Sequence, residues 1–235
     1  MENGKTQDEG AIILTGASSG IGRAAAEALA RKSRRLALVD INAEPLKQVA
    51  NLCRNHSPLT ASFTCDVTDG DAVEHMCRQI EQQFGVVSVL VNCAGIGFYA
   101  PFLETPTEEW RRIFNVNVMG TVHCIRSVLP GMIAAGHGLI VNVGSRMAID
   151  PCAGMTAYAA SKAALLGFTR ALVAEAGGRG VKVTYLAPGG TKTNIATPKY
   201  DGYMEPAAIA EAIVYVIENG GNAWVRNLEV LPLGF

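Results

Sequence analysis

Tyr158 and Lys162 stand four residues apart in an Ala-rich stretch that reads as helix, which sets a phenol and an ammonium on one face, one turn apart. A phenol has an ordinary pKa of about 10 and is a poor base near neutrality. A cation about 5 Å away, at an effective dielectric near 20, favours the phenolate by roughly 3 kcal/mol, or about two pKa units. Burial pushes the other way. Ser145 lies just past an apolar run ending at Val143, 13 residues before Tyr158, and Asn117 sits inside a long helical stretch. A mid-helix Asn is unfavourable unless it has a task. Taken singly, each has a plain alternative: Tyr158 as core packing, Ser145 as a cap, Asn117 as a local kink.

A second constellation lies near the N-terminus. The segment Thr15-Gly16-Ala17-Ser18-Ser19-Gly20-Ile21-Gly22 joins an apolar run to a helical one. A tight turn needs glycine, and close approach of backbone to a pyrophosphate leaves no room for Cβ atoms. The helix start then offers free N–H groups and a partial positive charge to the anion. The glycine spacing is G-x-x-x-G-x-G, not the G-x-G-x-x-G of the usual dinucleotide fingerprint, and no Gly-Lys-Ser/Thr follows. Asp40 stands 18 residues past Gly22, at the end of the next apolar run. An acidic group there accepts hydrogen bonds from ribose hydroxyls and repels a 2′-phosphate, and neither Ser19 nor Ile41 offers a cation to bind one. The expected cofactor is therefore NAD, with NADP the alternative.

The elements that must position these groups alternate along the chain. Apolar runs at 11–14, 36–39, 62–65, 87–91, 139–143, 181–186 and 228–231 read as strands. Helical stretches are expected at 21–32, 44–55, 71–84, 107–135, 157–176 and 206–218. Continuously apolar strands imply burial on both faces, and the intervening helices supply the crossovers that parallel pairing requires. The predicted fold is α/β, a Rossmann-type doubly wound parallel sheet in three layers, with one dinucleotide-binding and catalytic domain over 10–235. Residues 1–9 are polar and read as a tail, neither signal peptide nor anchor.

Composition agrees with an ordinary globular chain: 235 residues, 49% hydrophobic, 17% charged and only 6% aromatic, so the core must be aliphatic. A formal net charge of −1 gives no electrostatic reason for nucleic acid or membrane as partner. No stretch is expected to reach the roughly 18 to 20 apolar residues of a spanning helix. The six cysteines and four histidines show no metal-ligand spacing, which points to reduced thiols, no metal and a cytoplasmic address.

In order along the chain, the Gly16–Gly22 turn, Asn92-Cys93-Ala94-Gly95, Asn117 before Gly120, Ser145, Tyr158-x-x-x-Lys162 and Pro188-Gly189 resemble the short-chain dehydrogenase/reductase family over about residues 11–232. The resemblance implies a seven-stranded parallel sheet, a nicotinamide cofactor and hydride transfer at a secondary alcohol or ketone. It implies cofactor contacts from Gly16, Ser18, Ser19, Gly20, Ile21, Gly22 and Asp40, with Asp66 and Val67 at the adenine. Asn92, Ala94 and Gly95 would line the cofactor, Tyr158 and Lys162 would touch it, and Thr191 and Thr193 would follow Pro188 and Gly189 near the nicotinamide amide and phosphates. Tyr158 would be the acid/base, Ser145 the partner of the substrate oxygen, and Lys162 the pKa modulator and ribose anchor. Asn117 would shape its helix and hold a water in the proton path. With the oxidised nicotinamide as second cation, Tyr158 is expected to become a base useful near about pH 7 to 8. A homodimer or homotetramer is also implied, with the small residues Ala157, Ala160, Ala164 and Gly167 permitting close helix approach.

Three features depart from the family pattern. Arg146 follows the catalytic Ser, where small or apolar residues are common, and is a candidate for pairing with a substrate carboxylate or phosphate. Its alternative is an Arg that ties down its own loop. Ile149 and Met155 complete the candidate substrate residues. The lid region 193–205 is short, carrying Pro198 and Tyr200, which predicts an open or small pocket, and 227–235 lacks a glycine pair. The leading expectation is NAD(H)-dependent hydride transfer with a small secondary alcohol or ketone. The alternatives are an NADP(H)-dependent biosynthetic ketoreductase and a dinucleotide-sensing protein without turnover.

Overall fold

The computed structural model describes residues 10–195, 201–219 and 223–233. The expected tail at 1–9 and the lid residues Pro198 and Tyr200 lie outside them. Seven parallel strands form one sheet in the order β3-β2-β1-β4-β5-β6-β7. They are β1 Ala11–Thr15, β2 Leu36–Asp40, β3 Thr60–Thr64, β4 Val87–Asn92, β5 Gly138–Val143, β6 Val181–Pro188 and β7 Asn227–Val230. Helices α1 Gly20–Ala30, α2 Ala43–Arg54, α3 Gly70–Phe84, α4 Thr107–Phe114, α5 Gly120–Ala135, α6 Thr156–Ala176 and α7 Pro206–Glu218 connect them.

Strand alternation divides the core in two. Ile12 and Leu14 of β1 pack with Ala25 and Leu29 of α1, Leu46 of α2 and Ile213 of α7. Ala11 and Ile13 point the other way, toward Met76 and Ile80 of α3, Val128 and Met132 of α5 and Leu172 of α6. This double burial is why the strands read as unbroken apolar runs.

The order reverses at β1, whose neighbours are β2 and β4. Crossovers leave this point toward opposite faces, so a crevice opens beyond the carboxyl ends of β1 and β4. The Thr15 hydroxyl closes its floor by accepting the N–H groups of Cys93 and Ala94, both at 3.1 Å.

Three expectations change. The run 107–135 is one continuous helical path, but residues Asn115–Met119 form a π-helical turn between α4 and α5. That run, Thr107–Ala135, is also 29 residues long and apolar enough, by length and composition, to cross a membrane, contrary to the sequence expectation. Its apolar face is used for packing: Cys124, Ile125, Val128 and Met132 are buried in the second core cluster. Of the small residues expected to face a partner from α6, Ala157 is instead buried, whereas Ala164 and Gly167 are exposed and a Cβ on Gly167 would meet nothing within 4 Å.

A buried polar chain links sheet and helix. Asn92 Nδ2 donates to Asn142 Oδ1, and Asn142 Nδ2 donates to Thr169 Oγ1 on α6, each at 2.9 Å. Replacing Asn142 by Ala leaves the buried Asn92 Nδ2 donor without its partner and takes from Thr169 Oγ1 the hydrogen bond it accepts, at about 1–3 kcal/mol for each. We expect Asn142→Ala to lower the urea-unfolding free energy by about 2–4 kcal/mol, and an unchanged midpoint would show the chain to be dispensable.

Candidate active site and dinucleotide cleft

The glycine turn begins the site. Gly16, at φ +69°, lies so close to Ala94 that a Cβ would come 2.8 Å from the Ala94 backbone. Gly22 is tighter still: its Cβ would sit 2.0 Å from the Gly16 carbonyl oxygen. The first intrahelical bond of α1 runs from Arg23 N–H to Ser19 O, so the N–H groups of Gly20, Ile21 and Gly22 have no helix carbonyl to meet. Those donors, free of side-chain bulk, suit a pyrophosphate.

Asp40 at the end of β2 is held rigidly. Its Oδ2 accepts Ser18 N–H at 3.0 Å, and its Oδ1 accepts both Asn42 N–H and Asn42 Nδ2 at 2.9 Å. The carboxylate therefore pins the glycine turn as well as lining the cavity. Asp66 accepts from Thr68 N–H and Oγ1, and His123 Nδ1–H donates to the Val67 carbonyl at 3.0 Å, which fixes this wall of the cleft.

Tyr158 and Lys162 project from the first turns of α6 and are 8% and 4% exposed. Lys162 Nζ donates to the Val143 carbonyl at 2.9 Å and lies 5.6 Å from the centroid of the Tyr158 ring. Ser145 Oγ accepts Met147 N–H at 3.1 Å, so its own proton remains for another acceptor. The Ser145 hydroxyl hydrogen bond lowers the Tyr158 pKa.

The pKa expectation for the pair changes in one respect. Burial pushes Tyr158 up to about 12, only partly opposed by Ser145. Burial also pushes Lys162 down to about 8. Lys162 alone does not make the phenol a base, because both groups share a desolvated site that penalises either charge. A further positive charge is needed beside them.

Asn117 occupies the π-helical turn, a feature frequent at functional sites. Its Oδ1 accepts Ile96 N–H, and its Nδ2 donates to Ile96 O and Ser161 Oγ, all at 2.9 Å. Ser161 Oγ in turn donates to the Tyr158 carbonyl at 2.7 Å. The side chain thus ties the loop after β4 to the helix bearing Tyr158, and both protons of its amide are engaged. A Cβ on Gly95 would lie 3.3 Å from Asn117 Oδ1 and 3.6 Å from Lys162 Nζ, so Gly95 keeps open the approach to the ammonium.

One cavity of about 1530 Å³ joins these groups except Asn117, which is buried and does not line it. Gly16, Ser18, Ser19, Gly20, Ile21, Gly22, Asp40, Asp66, Val67, Ala94, Gly95, Pro188, Gly189, Thr191 and Thr193 line it, as do Ser145, Tyr158, Lys162, Arg146 and Met155. Asn92 does not line it, since its side chain turns into the sheet toward Asn142. Ile149 is also outside the lining, half exposed on the far side of its short 3-10 turn. The Arg146 guanidinium pairs with Asp150 at 3.0 Å within its own loop, as the alternative reading of this residue expected. Tyr99, Ile195 and Tyr203 also line the cavity and were not foreseen. Cys93 lies on its floor, where burial pushes the thiol up to about 12.

These features define a dinucleotide-binding oxidoreductase. The family described as short chain dehydrogenase matches residues 10–203, and the chain belongs to it. It is 36% identical to the D-threitol dehydrogenase of Mycolicibacterium smegmatis over 190 residues, 81% of this chain and 73% of that one. Among solved structures it resembles an alcohol dehydrogenase from the archaeon Thermococcus sibiricus complexed with 5-hydroxy-NADP, at TM-score 0.87, 27% identity and 94% and 95% coverage of the two chains. It also resembles a 3-ketoacyl-(acyl-carrier-protein) reductase from Brucella melitensis complexed with NADH, at TM-score 0.89, 25% identity and 96% and 98% coverage. A nicotinamide dinucleotide is accordingly the cofactor.

Gly22→Ala forces its methyl against the Gly16 carbonyl and must shift the turn. We expect NADH affinity, measured by fluorescence titration, to weaken by at least about tenfold; an unchanged Kd would remove the turn from the binding site.

Proposed function

We propose that this chain catalyses NAD(H)-dependent interconversion of a small secondary alcohol and its ketone, with Tyr158 as acid/base. The observation that carries this reading is a phenol, an ammonium and a hydroxyl buried together at one end of a cleft whose other end holds the glycine turn and Asp40. In oxidation, Tyr158 Oη takes the proton of the substrate hydroxyl while Ser145 Oγ–H donates to the same oxygen as charge develops. Lys162 stabilises the phenolate and reaches the ribose hydroxyls. Asn117, through Ile96 and Ser161, fixes the loop and helix on either side, and a water held near it would continue the proton path. An oxidised nicotinamide held in this cleft would supply the hydride acceptor and a second positive charge beside the pair.

Preference for NAD over NADP rests on Asp40, a fixed carboxylate with Ile41 and Asn42 beside it and no cation at either position. The D-threitol relative favours a polyol as the alcohol. Close to Tyr158, Ile195 and Met155 crowd Gly97, where a Cβ would come 2.8 Å from Ile195 Cγ2. The proposal includes a cytoplasmic location and a homodimer or homotetramer, supported by the exposed small face of α6 at Ala164 and Gly167; a light-scattering mass of one chain would overturn the assembly.

The pH dependence follows from the shifts. Oxidation needs the deprotonated phenol, whose pKa burial raises, so its rate climbs as pH rises. Ketone reduction needs the protonated phenol, so its rate does not climb. Between about pH 6 and about pH 9 we expect kcat/KM for oxidation to rise while that for reduction stays level or falls. On a panel of polyols and secondary alcohols followed by NADH absorbance, Tyr158→Phe is expected to lower kcat by at least about 100-fold with NADH affinity retained. Equal turnover by that variant would end the assignment. Asp40→Ala is expected to narrow an NAD preference of about 100-fold or more, measured as the ratio of kcat/KM values, and a native preference for NADP would reverse the cofactor reading.

A further inference from the structure

Tyr185 of β6 is fully buried beneath the catalytic cluster and has a contact pattern unlike that of a packing residue. Its hydroxyl accepts Ser145 N–H at 3.1 Å, and it faces two carbonyls it can donate to, Ser145 O at 3.2 Å and Lys162 O at 3.3 Å. One oxygen atom thus joins the backbone of the serine loop to the backbone of α6 at the lysine. Burial raises the Tyr185 pKa above its usual value, so the phenol keeps its proton and serves as donor and acceptor at once.

The ring has an equally specific neighbour. Gly144 packs flat against it, and a Cβ there would come 2.0 Å from Tyr185 Cζ, 2.2 Å from its oxygen and 2.3 Å from Cε2. Gly144 does not need a positive φ, since it is absent from the glycines that adopt one. Its lack of a side chain is explained by the ring alone. Gly144 N–H also donates to Leu186 O at 2.7 Å, prolonging the β5–β6 pairing right up to Ser145.

We propose that Tyr185 and Gly144 form a clamp that sets the Ser145 backbone against α6, making Tyr185 a positioning residue for the Ser145 hydroxyl. The clamp rests on the proposed function, because its purpose is to hold Ser145 Oγ on the substrate oxygen and on Tyr158. Met147 N–H fixes the Ser145 side chain relative to its own loop, whereas Tyr185 fixes that loop relative to the helix carrying Tyr158 and Lys162.

The test is Tyr185→Phe, which keeps the ring and removes the oxygen. We expect kcat for alcohol oxidation to fall about 10- to 100-fold with the KM for NAD unchanged within about twofold. Because the Ser145 hydrogen bond lowers the Tyr158 pKa, loosening it moves the rising limb of the oxidation pH profile to more alkaline pH. Hydrogen exchange at Ser145 and its neighbours should accelerate while the rest of β5 and β6 stays protected. Unchanged kcat and pH limb in a folded variant overturn the positioning role, even if the melting temperature drops, and unchanged exchange overturns the clamp itself. Turnover by the unaltered chain tests the proposed function separately; the exchange measurement needs no substrate and judges the clamp even if no alcohol is oxidised. Should Tyr185→Phe fail to fold, Gly144→Ala is compared with Gly144→Ala combined with Tyr185→Ala. The double variant is expected to recover soluble protein but not kcat. Full kcat in it, or no gain in solubility over Gly144→Ala, overturns the proposal.

Discussion

Desolvation of the Lys162 ammonium is the constraint from which the site follows. A buried cation requires hydrogen-bond acceptors and a reason to stay charged. Here the Val143 carbonyl at the end of β5 supplies one acceptor, the face of the Tyr158 ring lies nearby, and the opening beside Gly95 leaves one side toward the cavity. Burial lowers the lysine pKa to about 8, which still leaves it charged at neutral pH, and raises that of the tyrosine, which keeps its proton. A second positive charge entering the cleft would favour the phenolate further.

Keeping that pair in register demands a stiff frame, and the frame is built from backbone contacts more than from side-chain salt bridges. Asn117 holds the loop after β4 through both polar groups of Ile96, Ser161 returns the connection to the Tyr158 carbonyl, and Asn142 reaches Thr169 further along α6. These links join β4, β5 and α6 at successive heights. The ion pairs, by contrast, are surface pairs such as Arg23–Glu27 and Arg111–Glu108, which contribute little.

Much of this was legible in the sequence because it is written in local spacing. The strand–helix alternation, the glycine turn, Asp40 and the four-residue step from Tyr158 to Lys162 each announce themselves within a short window. What escaped depends on contacts between distant segments. Tyr185 looks like any aromatic in a strand, and only the fold shows it 40 residues away across the sheet, against Gly144 and Ser145. Asn92 carries a familiar motif, yet its side chain belongs to the sheet interior. Arg146 pairs with Asp150, four residues on, which is the loop-tying alternative that the sequence offered. The rim residues Tyr99, Ile195 and Tyr203 come from two connections, one after β4 and one between β6 and α7, and share no periodicity.

The single oxygen of Thr15, gripping two consecutive amides of the neighbouring strand's exit loop, has a wider implication. It fastens the two halves of the sheet at the base of the crevice, so widening there would break both bonds together. Variation in what the molecule accepts is thereby confined to the upper walls, where Met155, Ile195 and Tyr99 reside. Nucleotide recognition and substrate recognition can then diverge independently: the rim is free to be rewritten for a new substrate while the floor goes on seating the same dinucleotide.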